Sequence, residues 1–430
     1  MKRKVGSRKL AVGSGLLGLA LFSNPGYAEE INRPDLPSPA QIESALGNHL
    51  LVLNAASELR MEHANQRKWN SGNYEFNLRV YTGKRNVVDS GRNLKESGIA
   101  LERPLRLFNK VGIDEDIGTA SVARAEYALG DARHEAGRTL FRLWFAWQRE
   151  QAQTALWQQQ VDILKQQAQM TEKRVRAGDA PKLELNQAQA AAAQASVSWH
   201  QAQLRAQLAG NDLKRQFPAI QLPERVQHTT PQAVEHDFAF WKSCVLEHNH
   251  ELGMVQEQSR VQQLLAQRSR ADQLPDPTVG VSYASEFGGN EKVAGVYVSV
   301  PLSFGQRSAT AEGAAQQAAI AADQEAFVKR RLESDTYATY TQAVSSFATW
   351  KQAHEAAQAI RSNTELVGKA YSLGESSLSD SLIARRFALE SSLAENLAQL
   401  DANEARYRLL LDAHQLWPLG NEDEHHANHY

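Results

Sequence analysis

Gly178 and Gly374 lie 196 positions apart, and so do the carboxylates six residues beyond them, Glu184 and Asp380. Each glycine closes a long stretch of helical pattern at a point where a residue free to adopt positive φ ends a helix, and each carboxylate falls in the first turn of the next helix. The stretches 174–185 and 370–382 therefore read as the tips of two helical hairpins. Ala188 and Ala384 keep the same offset, and residues 99–107 align with residues 296–304 at an offset of 197. The chain is an internal duplication. Its period is far too long for a solenoid of short repeats, so it holds two copies of one structural unit.

The order of elements within each copy follows from periodicity. In the first copy, Ser38 precedes a helix beginning near Pro39 and running to about Trp69, with Ile42, Ala45, Leu46, Leu50 and Leu53 at helical spacing. Residues 74–82 alternate, with Phe76, Leu78 and Val80 on one face. About fifteen polar residues lead to a second alternating run, in which Arg103 interrupts the apolar face of Ile99, Leu101, Leu105 and Leu107. Residues 117–177 contain no proline, and at 1.5 Å per residue they predict one helix of ~90 Å. A helix that long has no deep core to enter and must pack along other helices. A returning helix at 184–216, rich in alanine, ends at Phe217-Pro218.

Residues 218–235, with Pro218, Pro223 and Pro231, connect the copies. The second copy then repeats the series: a helix at 234–273, strands at 276–283 and 296–304, a long helix at 308–373, the Gly374 turn, and a return at 378–416 ending at Trp417-Pro418. The domain reading is a first repeat at 29–217, a connection at 218–235, a second repeat at 236–418 and a tail at 419–430.

Residues 1–28 carry five cations, an apolar run and small residues before Glu29, the three regions of a secretory signal peptide. Removing them leaves 42 Lys and Arg against 49 Asp and Glu, a balance that argues against a nucleic-acid partner. Cys244 is the only cysteine, which excludes an intrachain disulfide and a cysteine-built metal site; it reads as a small apolar residue on a helix. No later run of ~18 apolar residues occurs, so any membrane crossing must be made of strands. Four strands with one apolar face each cannot close a barrel around a pore, and their free edges require several protomers to share one. The fold class is mainly α with a small β part: duplicated long-helix hairpins forming a helical barrel, coaxial with a shared transmembrane β-barrel.

This order of elements resembles the TolC family of outer-membrane efflux proteins over essentially the whole mature chain. The turns are similar to the family's Gly-x-x-x-x-Leu-Asp-x-x-x-Ala pattern through Gly178, Leu183, Glu184 and Ala188, and through Gly374, Asp380 and Ala384. The passages Pro104-Leu-Arg-Leu and Pro301-Leu-Ser-Phe-Gly305 resemble the family's as well. The resemblance implies a homotrimer in the outer membrane that extends into the periplasm and docks a periplasmic adaptor and a proton-driven inner-membrane pump, acting as an exit duct and not as an enzyme, with no cofactor. It implies that Asp380 lines a constriction at the periplasmic end. Three such carboxylates around a threefold axis would repel one another and have raised pKa values. A second acidic residue often follows in the family, but here that position is Ile383, which makes an apolar constriction an alternative. Tyr371 matches a tyrosine that ties the inner hairpin to an acid at the place of Glu184; the arginine that assists it in the family is replaced by Ser376, so one strand of that latch is missing.

The tail carries Glu422, Asp423, Glu424, His425, His426 and His429, groups able to bind a borderline divalent metal. A solvated tail with no fixed geometry is the plainer reading. With the segment 101–107 the tail resembles the branch serving heavy-metal cation efflux; drug efflux and type I polypeptide secretion are the alternative cargos. The competing class is a periplasmic coiled-coil protein that bridges membranes without being a channel. No Gly-rich phosphate loop, His-Glu-x-x-His or Gly-x-Ser-x-Gly occurs.

Overall fold

The computed structural model describes residues 33–107, 110–224, 227–302 and 304–417. The expected signal peptide and the tail with His425, His426 and His429 lie outside these residues. In chain order the elements are α1 (Pro39–Gly47), α2 (Leu50–Ser71), β1 (Asn77–Val87), β2 (Arg92–Pro104), α3 (Lys110–Ala177), α4 (Lys182–Gln216), α5 (Phe238–Glu247), α6 (His250–Ala271), β3 (Thr278–Glu286), a 3-10 turn (Phe287–Gly289), β4 (Glu291–Ser299), α7 (Phe304–Leu373) and α8 (Leu378–Asp412). The two copies thus repeat the same series.

Helices α3 and α7, of 68 and 70 residues, are each about 100 Å long. α2 and α4 lie along one side of α3, α6 and α8 along the other, and α7 packs on the far side of α6 and α8. The half-length helices therefore stack beside full-length ones. The helices expected at 39–69 and 234–273 are each two helices. The first breaks at Asn48-His49 and the second at His248-Asn249, where the Asn249 side chain accepts from Leu252 N at 2.8 Å and starts α6 afresh. An apolar period continues smoothly across such a break, so hydrophobic spacing alone does not expose it. The short α1 and α5 leave the wall and pack against its middle. Cys244, on α5, is half-buried, and burial raises its thiol pKa.

There the main core forms. Ile42, Leu46, Leu140, Phe141, Trp144, Phe145, Leu213, Phe217, Trp241, Leu409 and Leu411 make one buried cluster around the midpoint of α3. Buried Asp35 ties four segments together at this level. Its carbonyl accepts from Trp144 Nε1 at 2.8 Å and Gln148 Nε2 at 2.5 Å, and its carboxylate from Thr229 Oγ1 at 2.6 Å and Tyr407 Oη at 3.1 Å. Far from this belt the wall is thin, and alanines such as Ala188, Ala192 and Ala195 let helices approach closely.

The four strands form one antiparallel sheet in the order β1-β2-β3-β4. Its register aligns Leu78, Leu101, Val281 and Val296 in one row and Val80, Ile99 and Tyr283 in the next, on one exposed apolar face. The opposite face carries small residues with polar neighbours: Gly98 under the Tyr81 ring, Gly280 under the Tyr297 ring, and Glu102 accepting from Tyr297 Oη at 2.6 Å and Arg79 at 3.2 Å. β1 and β2 are longer than expected because the segment taken as a polar connection is itself strand, paired from Gly83–Glu96 to Val87–Arg92. With polar residues on both faces it carries no period-two hydrophobic signal. Arg103 lies on the apolar face but folds back, its guanidinium 4.8 Å from the Phe76 ring centre and its Nε donating to Tyr74 O at 2.8 Å.

Sheet and helices meet at an ionic junction between the copies. Fully buried Lys110 Nζ donates to Asp276 at 2.9 Å and to Leu274 O at 2.9 Å, and lies 3.1 Å from Asp272. Asp114 receives Arg106 at 3.0 Å and Arg268 at 2.6 Å. Removing one partner of such a cluster strands the others, at a cost of about 3 kcal/mol. Lys110→Met is therefore expected to lower the thermal melting temperature in detergent clearly, whereas Lys182→Met at an exposed tip leaves it unchanged.

Candidate functional site

The two hairpin tips share one backbone solution. At the first, Gly178 takes φ +84°, its N–H bonds Val175 O at 3.1 Å, and Asp179 N bonds Arg174 O at 2.8 Å. At the second, Gly374 takes φ +81°, with Gly374 N to Tyr371 O at 3.1 Å and Glu375 N to Ala370 O at 2.9 Å. Both are helix ends closed by a left-handed glycine with paired return bonds.

The helix starts that follow differ. Ser377 caps α8: its Oγ accepts from Asp380 N at 3.1 Å and donates to the Asp380 carboxylate at 2.7 Å, and Ser377 N donates to the same carboxylate at 3.3 Å. Ser376 adds a longer bond at 3.4 Å. Hydrogen bonds from the Ser377 side chain and backbone hold the Asp380 carboxyl below its ordinary pKa within the protomer. Mutual repulsion in a ring of three would act in the opposite direction. Asp380 is exposed, and Ile383 and Phe387, three and seven residues on, are 48% and 50% exposed along the same side of α8.

In α4 the corresponding cap is Pro181, which has neither hydroxyl nor N–H, and no side chain caps the helix. The Glu184 carboxylate is left to the neighbouring hairpin. Tyr371 Oη donates to Glu184 Oε2 at 3.5 Å and accepts from Arg174 Nη1 at 2.8 Å. The Arg174 guanidinium also lies 5.4 Å from the Tyr371 ring centre and 4.0 Å from Glu184. The structure therefore brings Glu184 and Tyr371 near each other and adds Arg174, which sequence reasoning missed. A signal existed: at the 196-residue offset Arg174 faces Ala370 and Val175 faces Tyr371, so the copies diverge at the residues that meet.

Charged groups also gather away from the tips. A cleft of about 410 Å³ at mid-height is lined by Asp131, Glu135, Arg138, Glu251, Arg331 and Asp412. Burial, then repulsion from Glu135 and Glu251, pushes Asp131 up to about 6. Among the described residues no group of three or more His, Cys, Asp or Glu is arranged to hold a metal ion. No described helix is long and apolar enough to cross a membrane.

Residues 42–216 match the model of the family described as outer membrane efflux protein. The match spans most of the first repeat. The fold of the whole chain is that of solved outer-membrane channels at low sequence identity. CmeC of Campylobacter jejuni shares 15% identity at a TM-score of 0.70, over 91% of this chain and 89% of its own. VceC of Vibrio cholerae shares 16% at 0.72, over 88% and 99%. MtrE of Neisseria gonorrhoeae, solved in its open state, shares 16% at 0.67, over 88% and 89%. No curated protein sequence matches the chain. The TolC-family resemblance thus holds for the fold of the whole chain and for the sequence of the first repeat.

Because Asp380 titrates below its unfolded value, its contribution to the α8 start is present above the ordinary carboxylate pKa and is lost as pH falls through the depressed one. Hydrogen exchange of residues 374–390 is expected to show protection that declines on acidification below about pH 4. Ser377→Ala should weaken that protection across the whole range.

Proposed function

We propose that the chain is the exit duct of a tripartite efflux assembly: a homotrimer that joins a periplasmic adaptor and a proton-driven inner-membrane pump to the exterior. The observation that carries this reading is the pair of open edges on the protomer. β1 and β4 end the sheet unpaired within the chain. The helical wall likewise ends in exposed apolar side chains, Ile320, Phe327 and Val344 on α7, and Leu50, Leu53, Val197, Leu204 and Leu208 on α2 and α4. Opposite edges of one chain that each want a partner are satisfied by a heterologous contact, and a ring is the closed form of such a contact. The apolar sheet face is suited to outer-membrane lipid, and its polar, small-residue face to a lumen.

The hairpin tips are the entrance of this duct. Asp380 and Ile383 form the constriction, a carboxylate ring backed by an apolar one, while Glu184 and Tyr371 hold it shut. Gly178 and Gly374 set the turns that the adaptor and pump meet. Heavy-metal cations are the cargo we assign, on the resemblance of the 101–107 segment and of the acid- and imidazole-rich tail, and the acidic ring would concentrate them.

Single-channel recording in planar bilayers tests this reading. Wild-type protein is expected to give a cation-selective pore blocked by added divalent cations, with block weakened in Asp380→Ala. A pore indifferent to the substitution would remove Asp380 from the constriction. No conductance from a folded trimer would favour a bridging coiled-coil protein.

A further inference from the structure

Strand alternation sorts the charged side chains of the sheet by type. Toward the strand turns, the face that carries the apolar rows continues through Thr82, Ser97 and Ser285 to Lys84, Lys95 and Lys292. All three lysines of the four strands stand on this face. The four acids of the strands, Glu96, Glu102, Glu286 and Glu291, stand on the other. There the acids take arginines: Arg85 lies 2.5 Å from Glu96 and 3.0 Å from Glu286, and Arg79 lies 3.2 Å from Glu102. Lys84 and Lys95 are exposed and directly opposite each other, and among the described residues neither forms an ion pair. Lys292, also exposed, donates to a neutral partner, Ser285 Oγ, at 2.7 Å. Like charges placed opposite each other weaken a strand pair. Edge protection is an ordinary reason for lysine on a strand, but Lys95 lies on β2, which is paired on both sides.

We propose that this lysine tier binds the phosphates of a phosphorylated acyl glycolipid in the outer leaflet and fixes the height of the sheet in the membrane. The inference rests on the reading of the sheet as a membrane-spanning wall. Directly opposed residues have Cβ atoms about 5 Å apart, so Lys84 and Lys95 can close on one phosphate from two sides. Lys292 stands two strands over from Lys95 and one row nearer the helices, about 12 Å away at ordinary strand spacing and rise. That separation suits a second phosphate on a sugar headgroup better than the single phosphodiester of a glycerol lipid. On the helix side of the lysines the apolar rows meet acyl chains, so one face follows the order of headgroup and tail in a lipid. An ammonium on a flexible stem meets phosphate as a point charge, and near the membrane boundary its cost on a lipid-facing strand is small. Arg103, at the helix end of the same face, is committed to Phe76 and Tyr74.

Full-length protein in a zwitterionic detergent tests the proposal with three probes: an acylated disaccharide bearing two phosphomonoesters, the same glycolipid stripped of phosphate, and phosphatidylglycerol. The diphosphorylated glycolipid is expected to stay bound in native mass spectra and to raise the melting temperature of wild type. The stripped glycolipid should do neither, and phosphatidylglycerol should bind more weakly. Lys84→Gln with Lys95→Gln should weaken binding about twenty-five-fold, about fivefold for each lysine beside an anionic headgroup, without lowering the melting temperature in detergent alone. Lys84→Arg with Lys95→Arg should retain it, and Lys182→Gln at the helical tip should change nothing. Lys292→Gln should weaken binding of the diphosphorylated glycolipid about fivefold. Undiminished binding in Lys84→Gln with Lys95→Gln, or phosphatidylglycerol held as tightly as the glycolipid, would overturn the proposal. Flotation with phosphatidylcholine vesicles separates it from the reading beneath it. Wild type that floats yet ignores the glycolipid would lose the lysine site and keep the membrane wall, whereas folded protein that floats with no vesicle would lose both.

Discussion

A backbone N–H or C=O without a partner is too costly to leave in a hydrocarbon layer, and a four-stranded sheet has two edges full of them. The rest of this molecule follows from that constraint. β1 and β4 carry the edges, and the apolar rows on one face of the sheet make water as unsuitable for that face as lipid is for the edges. Pairing between copies, as the proposed duct requires, would satisfy both conditions. The helical wall below presents the same problem in softer form, apolar stripes on its two outer helical layers, and admits the same solution.

Duplication supplies the remaining economy of the design. Two copies of one helix–hairpin–helix unit give two strand pairs and two long hairpins, joined across the copies by the buried Lys110 cluster at the sheet end and by the Asp35 network at mid-height. The far end is different. There the copies have diverged at matching positions, Arg174 against Ala370, Val175 against Tyr371 and Pro181 against Ser377, and the contacts between hairpins are few. The structure is tied firmly at one end and in the middle and lightly at the tips, which suits the entrance proposed there.

Much of this was legible in residues. Positive-φ glycines, long proline-free helical periods and the shared offset located both hairpins, the sheet's apolar rows and the acids of the tips. What escaped did so for physical reasons. The breaks at Asn48-His49 and His248-Asn249 interrupt no hydrophobic period, since the following helix continues it. The outer half of the first strand pair is polar on both faces and shows no alternation. Arg174 belongs to no motif and is marked in the sequence only by the divergence of the two copies at its position, because Tyr371 lies 197 residues away and meets it only once the two hairpins stand side by side.

The central claim is that one chain is an incomplete wall. Native mass spectrometry of the detergent-solubilised protein, released into lipid nanodiscs, measures it directly. Three copies of the chain, 47.7 kDa each before any signal is removed, with strand content retained, are the predicted result. A folded monomer that keeps its four-stranded sheet in lipid would contradict it, because the edge groups of β1 and β4 would then have found partners that this account does not provide.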